Sequence, residues 1–202
     1  MAASQRKLSS APLPAQASYD LVLVPLPLDV ARRMLGSGLR PARETLRPAR
    51  ETPRPEPKTL PPEPVEGPFS WHAEYPMPDS LDAIALALAS HHAMTGKIGD
   101  PPAWWIHHIV VDGVVVGDIG FHGPPGPERT VEIGYSVVPA WRGHGVASRA
   151  CDLILQRAWQ DGADIVIAET DHHNVASQAV LLRNGFRRGP DGVFTIKRPG
   201  AR

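Results

Sequence analysis

A strand-like run that ends at a proline and passes through two glycines into a helix constrains this chain more than any other feature. Residues 131–138 read Val-Glu-Ile-Gly-Tyr-Ser-Val-Val, Pro139 ends the run, and Arg142-Gly-His-Gly-Val-Ala147 follows. Backbone amides at a helix start have no intrahelical partner, and the helix dipole adds partial positive charge there. The turn therefore predicts an anion site suited to a phosphate or pyrophosphate. Gly143 and Gly145 would permit the tight turn and let a ligand approach the amides.

Two other phosphate-binding motifs are incomplete in this sequence. A Gly-x-x-x-x-Gly-Lys-Ser/Thr loop is absent from it. Gly143 and Gly145 match only the first two glycines of a dinucleotide-binding fingerprint, and the strand before them follows hairpins instead of opening a βαβ unit. A plain strand-to-helix turn without a ligand remains as the alternative.

Length and composition predict one well-buried domain without a global electrostatic attraction to nucleic acid. The chain has 202 residues and a formal net charge of +0, which implies no field-driven binding to nucleic acid or to a membrane surface. Its single cysteine, Cys151, cannot form an internal disulfide and is expected in the core. Because no apolar block follows Arg6 and Lys7, and the apolar run at 83–89 is too short to span a bilayer, we expect a cytoplasmic protein.

Hydrophobic periodicity and turn residues predict the element order β-α-α-β-β-β-α-β-α-β-β. Successive strands at 104–111, 114–121 and 130–138 are expected to be antiparallel. A helix from residue 146 that stops at Gly162 separates the third of these from a strand at 165–168, so that pair is predicted to be parallel. The expected fold is α+β, with a mixed, mainly antiparallel sheet of six to seven strands flanked by helices.

Capping residues set the expected bounds of the other helices. Asp29 is predicted to be the N-cap of a short helix that stops at Gly36. A second helix is expected over 79–90 and a last one over about 177–184, with Gly185 as its left-handed cap. A final hairpin is expected to turn at 190–192.

The composition changes sharply between residues 40 and 68. This segment holds 9 of the 23 prolines, alternates Arg with Glu, and contains Arg-Pro-Ala-Arg-Glu-Thr twice. Proline has no backbone N–H to donate, and the segment contains few apolar residues to bury. We therefore predict a disordered or polyproline-II insertion within a loop. Residues 1–18 are predicted to be a flexible N-terminus, and one domain is expected over 19–198, interrupted by this insertion.

Two motifs carry a family resemblance. Arg142-x-x-Gly145-x-Ala147 after Glu-Ile-Gly-Tyr-Ser-Val-Val-Pro resembles the acetyl-coenzyme A binding motif of the GNAT N-acetyltransferase superfamily. The later Asn174-x-x-Ser177-x-x-x-Leu-Leu-x-Asn-Gly185-Phe186 resembles a second signature, as found in the branch of ribosomal-protein N-terminal (alanine/serine) acetyltransferases and their small-molecule relatives. The likeness covers residues 21–197 apart from the insertion, and it implies the acyl-CoA N-acyltransferase fold.

The resemblance implies acetyl-CoA as the cosubstrate and assigns its contacts. Amides of residues 143–147 would hold the pyrophosphate, and Arg142 would add positive charge. The pantetheine arm would lie in a gap beside the strand. Asn174 and Ser177 would reach this arm, although both also suit helix capping. The implied cofactor-binding residues are Val137, Val138, Arg142, Gly143, His144, Gly145, Val146, Ala147, Asn174 and Ser177.

Acetyl transfer to an amine needs a neutral nitrogen, so a base is expected near the thioester. Glu132 is the predicted base, directly or through a water, and Glu169 is a weaker second choice; a salt bridge is the alternative role of Glu132. An amide near Val137 would stabilise the oxyanion. Many relatives place an acidic tyrosine where this chain has Leu181, so the thiolate would take its proton from water or from the ammonium product.

The paired histidines do not predict a metal site. Adjacent side chains point apart on helices and strands, so no metal ligands are assigned to the pairs at 91–92, 107–108 and 172–173. The last pair is expected on an exposed loop. Trp104, Trp105 and Trp141 are expected to be packing residues.

The function expected from the resemblance is transfer of an acetyl group from acetyl-CoA to a primary amine by direct attack in a ternary complex. The acceptor would be a protein N-terminus or a small-molecule amine, and the sequence does not choose between them. A regulatory module that binds acyl-CoA without turnover is the alternative, and a homodimer stays open.

Overall fold

The computed structural model describes residues 19–36, 68–95 and 102–200, except for the side chains of residues 92–95. The predicted flexible N-terminus over 1–18 lies outside the described residues, as does the predicted insertion over 40–68 apart from Pro68. Within the described ranges, no helix has both the length and the apolar character needed to cross a membrane.

Eight strands and four helices follow one another along the chain. The strands are β1 Leu21–Pro25, β2 Ser70–Trp71, β3 Ile106–Val111, β4 Val114–Phe121, β5 Thr130–Val137, β6 Ile165–Ala168, β7 Arg187–Arg188 and β8 Phe194–Lys197. The helices are α1 Leu28–Leu35, α2 Pro78–Thr95, α3 Val146–Gln160 and α4 Val175–Arg183. Seven of the strands form a sheet in the order β1-β3-β4-β5-β6-β8-β7, and the short β2 pairs with β4 outside this path.

The pairing confirms the predicted fold class. β3, β4 and β5 are antiparallel neighbours, and β5 runs parallel to β6 after the α3 crossover. The hairpin between β3 and β4 turns at Asp112 and Gly113, which both have positive φ, 48° and 80°. The two-residue β2 was not predicted, because a strand this short has no periodicity to recognise.

Several element boundaries differ from the sequence predictions, among them the start of α4, which is Val175 and not residue 177. The prediction that Asp29 is an N-cap is wrong: α1 begins at Leu28 after Pro27, and Asp29 lies in the first turn, where its Oδ2 accepts from Arg33 Nη2 at 2.8 Å. Helix α2 continues beyond Ser90 to Thr95. Strand β3 begins at Ile106, so Trp104 and Trp105 precede it.

The packing predictions hold where the structure describes them. Cys151 is fully buried in α3. Trp105 is 2% exposed, and its Nε1 donates to Leu26 O at 2.8 Å, while Trp104 packs edge-on against Phe121. Helix α1 packs on α2, and α3 packs on α4.

The two helix pairs lie on opposite faces of the sheet. Tyr135 contacts Ser177 of α4, whereas the next residue, Ser136, contacts Met77 just before α2. Adjacent residues of a strand point to opposite faces, so α2 and α4 lie on opposite faces of β5. Each face of β5 is therefore available for a different contact.

Strand β5 is paired unequally on its two sides. Its β4 side is paired from Ile133 through Val137, but its β6 side is paired only over Thr130, Val131 and Glu132. Pairing to β6 ends at Glu132, and β6 itself ends one residue later at Ala168. We call the unpaired edge of β5 along residues 133–137 the β5 slot. The predicted gap stays a prediction, and the fold provides an unpaired strand edge at the expected place.

Candidate functional site

The turn between β5 and α3, residues 142–147, is called the glycine loop here. A 3₁₀ turn over Pro139–Trp141 leads into it, and Gly143 and Gly145 both have left-handed φ values, 77° and 81°. Gly145 is the N-cap of α3 and makes no side-chain cap. Among the described residues, no hydrogen bond is donated by the amides of residues 143–147, so these N–H groups point their partial positive charge outward from the helix start.

Tyr19 fixes the shape of the glycine loop from a distant part of the chain. Its Oη donates to His144 O at 3.1 Å, and its ring packs edge-on against Trp141 at a centroid distance of 6.4 Å. A Cβ added at Gly145 would lie 3.7 Å from Tyr19 Oη. The sequence offered no signal for this contact, because 125 residues separate the two partners.

Arg142 is anchored to the strand that precedes the loop. Its Nε donates to Val137 O at 2.9 Å, and its Nη2 lies 3.9 Å from Met77 Sδ. The residue is otherwise exposed, so the guanidinium keeps free donors beside the glycine loop. One side chain therefore positions the loop and leaves positive charge there.

Backbone groups of β5 alternate between β4 and the β5 slot. Val138 N donates to Val116 O at 2.9 Å, and Val138 O accepts from Trp141 N at 2.9 Å, so both backbone groups of Val138 have partners within the chain. Val137 has the opposite orientation, and its N–H faces the slot side. Val137 and Val138 are both predicted to bind the cofactor, and of the two only Val137 has a backbone donor on the slot side.

Helix α4 begins at the other side of the slot. Asn174 is its N-cap and accepts from Ser177 N through Oδ1 at 3.1 Å, which confirms the capping role. Tyr135 Oη lies 2.8 Å from Ser177 Oγ and donates to Ser177 O at 3.1 Å. Burial raises the pKa of Tyr135 to about 12, so its hydroxyl remains a donor throughout the physiological range.

A second concavity lies on the opposite face of β5, under helix α2. This α2 cleft has a volume of about 190 Å³ and is lined by Asp79, Ala83, Leu86, Ala87, Ile106, Asp118, Gly120, Phe121, His122, Gly134, Tyr135 and Ser136. Gly120 and Gly134 are cross-strand partners near its middle, so its floor there is bare backbone. Polar residues lie at both ends of this floor.

One end of the α2 cleft carries a carboxylate and an imidazole. His122 Nδ1 lies 3.1 Å from Glu132 Oε1, and the two residues are linked again by the backbone bond from His122 N to Glu132 O at 3.0 Å. The imidazole lies over the bare backbone of Gly134, where an added Cβ would be 2.7 Å from His122 Nε2. His122 lines the cleft, and Glu132 lies behind it in a contact that the sequence analysis did not anticipate.

The other end carries Asp118, which is only 4% exposed. Burial raises the pKa of this carboxyl to about 6, although the nearby Ser80 and Tyr75 hydroxyls favour its charged form and offset part of the effect. Asp118 lies opposite Ser136 on β5 and opposite His108 on β3. The sequence analysis also missed Asp118; its position two residues from Gly120 and four from His122 on one strand face was the available signal.

The remaining predicted residues lie away from this cleft. Glu169 is exposed after β6, and Leu181 is fully buried in α4. Burial raises the pKa of the Cys151 thiol to about 12, consistent with a core residue.

The loop before α4 brings two adjacent histidines together, against the expectation that such pairs point apart. The rings of His172 and His173 lie 3.7 Å apart, and their nitrogens and an Asp171 oxygen all lie within 4.8 Å of one another. The expectation used helix and strand geometry, whereas these residues occupy a turn in which Asp171 Oδ1 accepts from His173 N at 2.7 Å. All three residues are exposed, as predicted for the histidines.

A family model described as an acetyltransferase (GNAT) domain matches residues 45–187 of the chain. No curated protein matches the chain significantly.

Several solved structures are similar in shape. They include the ribosomal-protein-S5-alanine acetyltransferase from Vibrio fischeri, with 16% identity over 48% of this chain and 63% of that one and a TM-score of 0.45. Mycobacterium smegmatis RimJ in complex with CoA-disulfide has 24% identity over 60% of this chain and 62% of that one, with a TM-score of 0.47. An acetyltransferase (GNAT family) from Bacillus anthracis has 25% identity, coverages of 46% and 65% and a TM-score of 0.42. The matches span less than two thirds of each of these chains.

Proposed function

Because the chain belongs to the acetyltransferase (GNAT) domain family, we propose that it transfers an acetyl group from acetyl-CoA to a primary amine by direct attack in a ternary complex. The observation that carries this proposal is the junction of the glycine loop with the β5 slot. Amides without partners at a helix start suit a pyrophosphate, and the adjoining unpaired strand edge suits an extended arm.

The proposed cofactor site lies along the β5 slot, between the start of α3 and the start of α4. Amides of residues 143–147 hold the pyrophosphate, and the free donors of Arg142 add charge. The Val137 N–H faces the thioester and stabilises the oxyanion of the tetrahedral intermediate, while Val138 contributes contact only. Asn174 and Ser177 line the far wall, since the Asn174 amide nitrogen is not used in the cap.

The acceptor side uses the α2 cleft. The incoming ammonium loses a proton to the pair formed by Glu132 and His122, and the neutral nitrogen attacks the thioester carbonyl. The C–S bond then breaks, and the thiolate takes a proton from water or from the ammonium product, because Leu181 supplies no acid. The acceptor is a protein N-terminus or a small-molecule amine in this cleft.

Two measurements test the proposal in order. Coenzyme A at 100 times its Kd is expected to add about 2.7 kcal/mol to the free energy of unfolding, as a thermal shift that ATP and NAD do not give. Release of the CoA thiol is then followed over a panel of peptides and small amines. Tight binding with no thiol release from any amine would contradict the enzyme proposal and favour a regulatory module.

Variants of the base pair test the mechanism. Glu132→Gln and His122→Gln are each expected to lower kcat/KM about a hundredfold, the usual contribution of a positioned base. The double variant should lose little more than either single one, because the two residues act as a unit. Glu169→Gln is the matched control and should retain activity; a large loss there, with Glu132→Gln active, would move the base to Glu169.

A further inference from the structure

The backbone next to Tyr19 is fixed to the turn between β3 and β4. Asp20 N donates to Asp112 Oδ1 at 2.9 Å, and Asp20 O accepts from Asp112 N at 3.0 Å. Both backbone groups of Asp20 are therefore bonded to the first residue of the hairpin turn. Tyr19 extends from a point that the sheet holds in place.

The Tyr19 side chain reaches from this point to the glycine loop. Its hydroxyl donates to His144 O at 3.1 Å and lies 3.7 Å from the position that a Cβ of Gly145 would occupy. Its ring meets Trp141 edge-on. Burial raises the pKa of Tyr19, and the nearby Arg149 offsets part of this increase, so the hydroxyl keeps its proton and remains a donor at neutral pH.

A carbonyl that is held in one direction also fixes the amide of the same peptide unit. The peptide between His144 and Gly145 is trans and planar, so its C=O and its N–H point in opposite directions. Because the carbonyl is bonded to Tyr19, the Gly145 N–H points away from the tyrosine. This N–H is one of the loop amides that donate no hydrogen bond among the described residues, and it is free to bind an anion.

The peptide unit has little steric resistance of its own to rotation. Gly143 and Gly145 flank His144, and both have left-handed φ values. Glycine adopts positive and negative φ about equally well, so Gly145 would tolerate a rotation that exchanges the directions of the C=O and the N–H. The rotated peptide would present a carbonyl oxygen, with its partial negative charge, where the pyrophosphate is proposed to lie. The hydrogen bond from Tyr19 opposes this rotation.

We infer that Tyr19 is a positioning residue for the cofactor, whose hydroxyl holds the His144 carbonyl so that the Gly145 N–H faces the diphosphate of acetyl-CoA. The inference rests on the proposed function, which places a diphosphate at the glycine loop. Tyr19 acts through the loop and not on the reacting atoms. Its removal should therefore change cofactor affinity and leave the chemical step as it is.

The test removes one oxygen atom. Tyr19→Phe keeps the ring against Trp141 and loses only the hydroxyl. In a calorimetric titration, its Kd for coenzyme A should be about three- to tenfold higher than that of the wild type, the range for one lost hydrogen bond. Melting curves of the free proteins show the temperature range in which the variant is folded, and the titration is made within it.

Ser70→Ala is the matched control. The Ser70 hydroxyl also donates to a backbone carbonyl, Gly113 O at 3.4 Å, but it does not contact the glycine loop. Gly113 O keeps the bond from the Ser70 backbone N–H at 3.1 Å in this variant. The Kd of Ser70→Ala for coenzyme A should equal that of the wild type.

The Gly145 amide gives a readout that a general loss of stability would not move. In proton–nitrogen NMR spectra of the free proteins, its resonance should shift or broaden in Tyr19→Phe, because the peptide is no longer held in one orientation. The resonance of Gly162, just beyond the other end of α3, should keep its position.

Kinetics provide a further separation once an amine acceptor is identified. The KM of Tyr19→Phe for acetyl-CoA should rise by the same factor as the Kd, while kcat stays within about twofold of the wild-type value, as expected when only uniform binding is lost.

The outcomes separate this inference from the proposed function. An unchanged Kd for coenzyme A, an unmoved Gly145 resonance, or a lower kcat with an unchanged KM would overturn the role of Tyr19 and leave the proposed function standing. Failure of the wild-type protein to bind coenzyme A would overturn both.

Discussion

Gly134 shows how one absent side chain can position another residue. Any Cβ at this strand position would meet His122 Nε2 at 2.7 Å, so the imidazole lies against bare backbone beside Glu132. Because Gly134 lies in a strand and not in a turn, we assign it a role in the candidate site.

Gly134→Ala is expected to displace His122 and to lower kcat/KM at least about tenfold, since a misplaced base loses much of its contribution. The fold should survive, because the obstructed atom is the end of a side chain with exposed space around it. Gly126→Ala is the control, as its added Cβ would come no closer than 3.8 Å to Thr130 O. Unchanged kinetics for Gly134→Ala would contradict the placement of His122 at the site.

Single residues were predictable where the signal is local. The Asn174 cap follows from residue type and the next helical turn, and the structure confirms it. His122, Asp118 and Tyr19 were missed because their roles depend on cross-strand register or on contacts from far along the chain. Contacts of this kind cannot be predicted from the order of residues along the chain.

At the scale of elements, β5 and α4 are tied across an otherwise unpaired gap. The Tyr135 hydroxyl, bonded to both oxygens of Ser177, spans the β5 slot where strand pairing has ended. This contact holds the start of α4 at a fixed distance from the strand. The Tyr135 phenol therefore ties the start of α4 to β5.

Tyr135→Phe removes both hydrogen bonds and should lower the free energy of unfolding by about 1 kcal/mol, or the Tm by about 3 °C. The KM for acetyl-CoA should rise more than kcat falls, because the wall of the slot loosens. Ser177→Ala should have a smaller effect on stability, since Ser177 O still accepts from Tyr135. Thermal melts and initial rates measure both quantities, and equal stability of Tyr135→Phe and wild type would refute the tie.

Element types were predictable and their ends less so. The strand residues of β4 and β5 and the glycines on either side of α3 are local signals for these elements. The helix between β5 and β6 implied that these two strands are parallel. The start of α1 was misjudged because Pro27 at the boundary competes with Asp29, and both residue types favour a helix start. The brief β2 depends entirely on β4 for its conformation.

For the whole molecule, two buried groups have opposite effects on stability in acid. The pKa of Asp118 is raised to about 6, so the folded state binds the additional proton as the pH falls below 6, and this stabilises the fold. The pKa of His108 is lowered to about 4, so below pH 6.5 the unfolded state binds the additional proton, and stability is lost. Burial is the main cause of both shifts, and the two proton counts nearly cancel.

We expect the free energy of unfolding of the wild type to change little between pH 6.5 and 5 on account of these two groups. Asp118→Asn removes one of the opposing contributions, so its stability should fall by about 1 kcal/mol per pH unit in acid relative to wild type. Urea titrations at pH 7, 6 and 5 give the slopes, with Asp82→Asn as the exposed control. Parallel slopes for wild type and Asp118→Asn would show that the carboxyl is not shifted.

The predictions of one domain over 19–198, an insertion over 40–68, a homodimer and a cytoplasmic location stay predictions. The insertion is supported by composition. The fold class, by contrast, follows from the element order, because few arrangements of such elements bury one continuous core.

The end of the β5–β6 pairing at Glu132 has a consequence for how such a protein can diversify. One edge of β5 meets the glycine loop and α4, while one face of it meets α2 and the polar ends of the cleft. Under the proposed function, exchanges along the cleft-facing surface of α2 would change the choice of amine and leave the contacts of the glycine loop unaltered. A new acceptor preference would then need only a few substitutions on one face of β5.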